Sequence, residues 1–193
     1  MQAFVHERLQ ALQRLLARSS AVLAKYNRLD LDLTAALTDF LDDAIASYRA
    51  LGRAPQENQL LALQAQFVSA QQGTHPITLE RVVGHRRELQ RAIALQVLQR
   101  SADLLRTDMA RDNQALDDAR VQLRTIVLLA LRDGLLPLKG RHPPSQQQLD
   151  TLWRHVLLAP DIQLAARQVA MQLGLYDIQL LLAELILALR PSP

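Results

Sequence analysis

The sequence predicts an all-helical fold, a bundle of about seven helices. Three observations carry that reading. β-Branched residues are sparse, and no run alternates apolar and polar residues as a half-buried strand would. Leucine, alanine, arginine and glutamine, all good helix formers, dominate the composition. Apolar residues also recur at spacings of three and four over long stretches.

The first helix is expected over about 2–26. Val5, Leu9, Leu12, Leu16, Ser19, Leu23 and Tyr26 alternate spacings of four and three, a coiled-coil type of seam, and Asn27 with "RLDLDL" ends it. A second helix, about 32–51, buries Leu33, Leu37, Phe40, Ala44, Tyr48 and Leu51, and stops at Gly52. Pro55 suits the first turn of a third, which runs to Gln72 before Gly73 and buries Leu60, Leu63, Phe67 and Ala70.

"GTHPIT" reads as a turn, with Thr78 as the cap of the fourth helix and Gly84 inside that helix. From Leu95 the positions Leu98, Ala102, Leu105, Met109, Asp112, Leu116, Ala119, Leu123, Ile126 and Ala130 keep the three–four alternation without a slip. One helix over about 79–133 is therefore expected, about 80 Å long at the α-helical rise. The competing reading breaks it in two, with Asp112 as an N-cap.

Gly134 ends this helix, and "LLPLKGRHPPSQQQ" is a linker. Ser145 and Gln148 have the spacing of a capping box for a helix to Leu158. Pro160 and Asp161 start the next, to Leu173, and Asp177 is read as the cap of the last, to Arg190. The expected organisation is a long-helix bundle over 1–134, a Pro/Gly linker over 135–147 and a short helical subdomain over 148–193.

Composition narrows function. There is no cysteine, which removes disulfides, thiolate metal sites and thiol catalysis together. The net charge is +3, too little on 193 residues to imply nucleic acid, and aromatic residues at 4% offer few stacking platforms. The first helix resembles a mitochondrial presequence in being arginine-rich and acid-poor, but fits a packed helix better. "LLLAELILAL" is about half the length a membrane span requires, and Glu184 interrupts it. A cytoplasmic protein without a membrane span is expected.

No histidine pair stands at i, i+4, no Glu-x-x-His occurs, and nucleophile elbows and phosphate-cradling glycine loops are missing. The expectation is a protein with no catalytic, cofactor or metal site. Residues 166–185 resemble a helix-turn-helix in spacing, with Val169, Ala170, Leu173, Gly174, Leu175 and Leu180 where two helices would meet. The face that would read DNA carries Tyr176, Asp177, Ile178, Leu181, Leu182 and Leu185, which offer phosphate and base edges the wrong chemistry. A ligand-responsive regulator with a degenerate helix-turn-helix is thus the alternative.

The leading expectation is a protein-interaction module, an adaptor, chaperone or assembly subunit, that pairs with a protein partner or with itself. Its candidate interface is Ile178, Leu181, Leu182, Leu185, Ile186 and Leu189 on the last helix, with Leu116, Leu123 and Ile126 on the long one. His85, Arg86, Arg87 and Arg91 are the candidate contact for an acidic partner or a phosphate.

Overall fold

The structure is a computed structural model that describes residues 4–78, 80–81, 84–134 and 144–189. Among the described residues there are seven helices and no strand: α1 Val5–Arg28, α2 Leu33–Ala50, α3 Ala54–Gln71, α4 Arg86–Arg132, α5 Gln146–Leu158, α6 Gln163–Gln172 and α7 Leu175–Ala188. The all-α class, the very long helix and the C-terminal trio of short helices are as the sequence predicts.

Packing divides the chain into two units, Met1–Ala3 with Arg8–Ala110, and Phe4–Glu7 with Arg111–Pro193. The division falls within α4, not at Gly134 where the sequence placed it. The second half of α4 buries its seam with the short helices, so the expected subdomain begins earlier than its turn residues suggest. Most of the expected linker, residues 135–143, lies outside the described residues.

The first unit combines α1, α2, α3 and the first half of α4. Its core is built from Leu12, Leu15, Phe40, Leu41, Tyr48, Leu60, Phe67, Val97 and Leu105, among others. On α1 Val5, Leu9, Leu12 and Ser19 are buried as the seam predicts, but Leu15 and Val22 take the places of Leu16, which is half-buried, and Leu23, which is exposed. A strict seven-residue seam drifts about 20° per heptad on a straight helix, so the buried face moves off the predicted line.

Glycine in the left-handed region ends two of these helices, at Gly52 (φ 68°) and Gly73 (φ 81°). At the end of α1 the same geometry is filled by a leucine. Asp30 N–H donates to the Lys25 carbonyl at 3.1 Å and Leu29 N–H to that of Tyr26 at 3.2 Å, with Leu29 at φ 61°. That is a Schellman closure with a β-carbon where the chain prefers none.

The start of α4 is seven residues later than expected. Thr78 is not the cap of α4, and Gly84, at φ 83°, lies in the turn before the helix instead of inside it. His75 engages its neighbours instead: its N–H donates to the Glu80 carbonyl at 2.9 Å, and its Nδ1 accepts from Thr78 N–H at 3.2 Å. These bonds compete with a helical start.

Once begun, α4 runs 47 residues without a break. Asp112 is 3% exposed and lies mid-helix, so it is not an N-cap and the two-helix reading falls. Ser101 and Asp108 are also buried, which makes the middle of this seam polar. In the first unit Asp108 pairs with Arg53 Nη1 at 3.3 Å and accepts from Gln56 Nε2 at 3.3 Å. A buried carboxylate is retained only when partners of this kind offset its desolvation.

In the second unit, α5 begins with the predicted capping box: Gln148 N–H donates to Ser145 Oγ, and Ser145 N–H to Gln148 Oε1 at 2.8 Å. Helices α5, α6 and α7 contact one another pairwise. Trp153, Val156, Ile162, Val169, Leu181 and Leu182 are buried among them, as are Leu123 and Ile126 of α4. Helix α7 starts at Leu175 with Gly174 as N-cap, and not at the cap expected three residues later, Asp177.

Candidate functional site

Asp177, freed from capping its own helix, caps another. Its side chain is 0% exposed, and it accepts from Val5 N–H at 2.8 Å and His6 N–H at 3.1 Å. These are the first two amides of α1, which have no partner inside their helix. His6 Nδ1 lies 2.6 Å from Asp177 Oδ1. One carboxylate in the first turn of α7 therefore also neutralises the positive end of α1. Beside this cluster, Phe4 packs on Tyr176 with ring centroids 5.1 Å apart. A β-carbon at Gly174 would stand 2.8 Å from the Phe4 ring, so the absence of a side chain there lets the two segments meet. The sequence reading missed this cluster, because nothing in local spacing ties residue 5 to residue 177.

The arginine group resolves into structural parts. Arg86 donates to the Gln71 carbonyl at the end of α3, where Gln90 Nε2 also donates, at 3.1 Å. Arg91 lies 5.1 Å from the centroid of the Tyr26 ring and donates to the Tyr26 carbonyl at 3.4 Å, near the end of α1. Two cations thus sit on carbonyl-rich helix ends, where the helix dipole favours positive charge. His85 lies 3.0 Å from Glu88, and Arg87 is exposed. The four residues share a segment but do not converge on one site.

Eight of the nine candidate interface residues are buried within the chain. Ile178, Leu181, Leu182, Leu185 and Ile186 of α7 and Leu116, Leu123 and Ile126 of α4 all lie in the second unit's interior, and Leu189 is half-buried. Their leucine-rich pattern is accounted for by that core alone. The same burial closes the would-be recognition face of the helix-turn-helix pattern. α6 and α7 do form a corner, but Ile178, Leu181, Leu182 and Asp177 point inward, and Tyr176 is the exposed member.

The second unit carries a groove of about 290 Å³ between α4 and α7, lined by Arg120, Val121, Arg124, Leu185, Ala188 and Leu189. Val121 is 69% exposed, and Leu128, one heptad further along α4, is 48% exposed. Arg120 is held by Asp117 and lies 3.3 Å from Glu184 of α7, while Arg124 is exposed. The groove thus has an apolar floor and a rim carrying two guanidinium groups.

On the first unit the most exposed apolar feature is the α1–α2 corner. Leu31 is fully exposed and Leu29 is 61% exposed. Asp30 and Asp32 alternate with them; Asp32 is bonded to Lys25, which holds its carboxyl below the ordinary range and raises the lysine.

Among the described residues no helix is long and apolar enough to cross a membrane, and no three acidic or histidine side chains are gathered as metal ligands would be. Compared with protein-family models, with curated proteins and with solved structures, the chain matches none of them.

Proposed function

We propose that this chain is a non-enzymatic helical interaction module, working as an adaptor, chaperone or assembly subunit, and that it associates first with copies of itself. The observation that supports the reading is the apolar surface left over once both interiors are filled. Val121 and Leu128 form a stripe along α4 beside the groove, and Leu29 and Leu31 project from the α1–α2 corner. Exposed leucines scattered singly are ordinary, but apolar side chains in a stripe beside a groove are the usual form of a helix-docking surface.

The proposed surface is therefore not the buried leucine seam but the shell around it. Association would remove Val121, Leu128, Leu29 and Leu31 from water, with arginines at the edge fixing orientation. Sedimentation velocity over a micromolar to near-millimolar series tests the reading. The expected result is a mass that rises with concentration. A chain that stays monomeric throughout the series refutes self-association.

A further inference from the structure

We infer that the outer face of α6 docks the chain on an anionic lipid surface, a contact separate from the self-association proposed above. Helix α6 has two opposed seams. Ala166 and Val169, with Ile162 and Leu173 at its ends, are buried in the second unit, whereas Leu164, Gln168 and Met171, three or four residues apart, face away from it. On that outer seam Leu164 is 73% exposed and Met171 is 88% exposed. The chain on either side extends it. Leu158, at the end of α5, is 74% exposed, and Leu175 and Tyr176, at the start of α7, are 52% and 45% exposed. Five of the eight large apolar side chains exposed among the described residues of the second unit thus fall within 158–176.

A bilayer suits this face better than a protein does, for two reasons. Side chains exposed to this degree project from the surface and touch little of their own chain. A protein partner has to supply a matching hollow for each, but a bilayer admits them wherever its acyl chains begin. The charge is also left unbalanced. From Ile162 to Tyr176 the chain has no acidic residue, and Arg167 lies on the outer face between Leu164 and Met171. Arg167 makes no hydrogen bond or ion pair among the described residues. Arg154, one turn before Leu158, donates only to the Asp150 carbonyl, at 3.3 Å. The nearby carboxylates are engaged elsewhere: Asp161 has Arg132 within electrostatic reach, Asp150 accepts from Gln179, and Asp177 is buried at the start of α1. Two guanidinium groups on apolar stems therefore stand beside projecting aliphatic side chains. That combination binds lipid phosphate while the stems and leucines enter the acyl boundary.

Vesicle co-sedimentation of the full chain tests the inference, with phosphatidylcholine vesicles and with vesicles that also carry about one third phosphatidylserine. The expected result is binding to the mixed vesicles that falls as salt rises, and little binding to phosphatidylcholine alone. Leu164→Gln with Met171→Gln changes two exposed positions to a good helix former, and circular dichroism confirms that helicity is kept. This double variant should lose about tenfold or more in vesicle affinity. Arg167→Gln should lose several-fold together with part of the salt dependence, and Val121→Gln, in the α4–α7 groove, should bind as wild type does. A wild type that stays in the supernatant overturns the inference. So does a double variant that binds as tightly as wild type, or binding indifferent to phosphatidylserine. A chain that ignores vesicles, and whose double variant loses self-association, gives the face to a second copy instead. Wild type that binds vesicles yet stays monomeric in solution supports the lipid contact and refutes self-association, so the two readings fail separately.

Discussion

Replacing Asp177 with alanine tests the idea that one carboxylate of α7 holds the start of α1. The substitution removes the acceptor for Val5 N–H (2.8 Å) and His6 N–H (3.1 Å) and the partner of His6 Nδ1 (2.6 Å), in a site with no exposure. Loss of an N-cap acceptor costs about 1 kcal/mol, and up to about 2 in proteins. Hydrogen bonds to a charged group add about 1.5–3 kcal/mol, and all of these bonds share one carboxylate, so the terms do not simply sum. A loss of about 3 kcal/mol is expected, or roughly 6–12 °C in Tm for a chain of this size. Trp153 is the only tryptophan and lies buried in the unit that contains Asp177, so its fluorescence in a urea titration reports the affected part. Amide exchange gives an independent readout: Val5 and His6 should lose protection in the variant. His6→Ala leaves both backbone bonds in place and should cost less than half as much. A stability change below about 0.5 kcal/mol in Asp177→Ala, with both amides still protected, would refute the capping role.

Other substitutions probe the same geometry. Leu29→Gly relieves the left-handed leucine in the α1 closure and should stabilise the chain by about 1 kcal/mol in urea unfolding; no gain would mean the φ of 61° carries no strain. Gly174→Ala places a β-carbon 2.8 Å from the Phe4 ring and should destabilise by about 1–3 kcal/mol, an effect that Phe4→Leu reduces. The Asp32 carboxyl, lowered below 3.8 chiefly by its bond to Lys25, stabilises the corner above pH 3.8 and loses that contribution as pH falls through its lowered value. Lys25, raised above 10.5, contributes below pH 10.5 and loses it as pH rises through its raised value. Both groups are exposed, so nuclear magnetic resonance titration should show the Asp32 shift shrinking in molar salt; a salt-independent value would contradict the assignment.

The helices were legible because local chemistry sets them. Ser145 and Gln148 announce a capping box, Gly52 and Gly73 end their helices, and the α4 alternation keeps phase across Asp112. The errors lie where long-range partners decide. Asp177 looks like the cap of its own helix, since aspartate is a strong N-cap, and only the arrival of α1 explains its displacement to the first turn. His75 looks like part of a simple turn, yet its ring accepts from Thr78 N–H and helps hold a turn that delays α4. Arg86 and Arg91 look like an anion site because both are basic and close in sequence. The carbonyls of Gln71 and Tyr26 that engage them come from distant segments.

A leucine seam is ambiguous for a related reason. Burial against the same chain and burial against a partner impose the same spacing, so Leu181 or Leu123 in sequence argues equally for either. The ambiguity lifts only after each seam has been assigned to a core and the exposed remainder is known. By that measure α7 is occupied, since its five largest inward residues are 8% exposed or less. Val121 and Leu128 remain, and they share one face of α4 because seven residues nearly complete two turns. Leu31 remains as well, with no helix of its own to cover it. An exposed leucine inserted into an apolar groove recovers about 1.5–3 kcal/mol, comparable with the strain held at Leu29. One such insertion gives weak association, and a tight complex requires several of them at once. Dilution should therefore dissociate the assembly while leaving the fold intact, and association that persists at nanomolar concentration would contradict a contact built on a few exposed leucines.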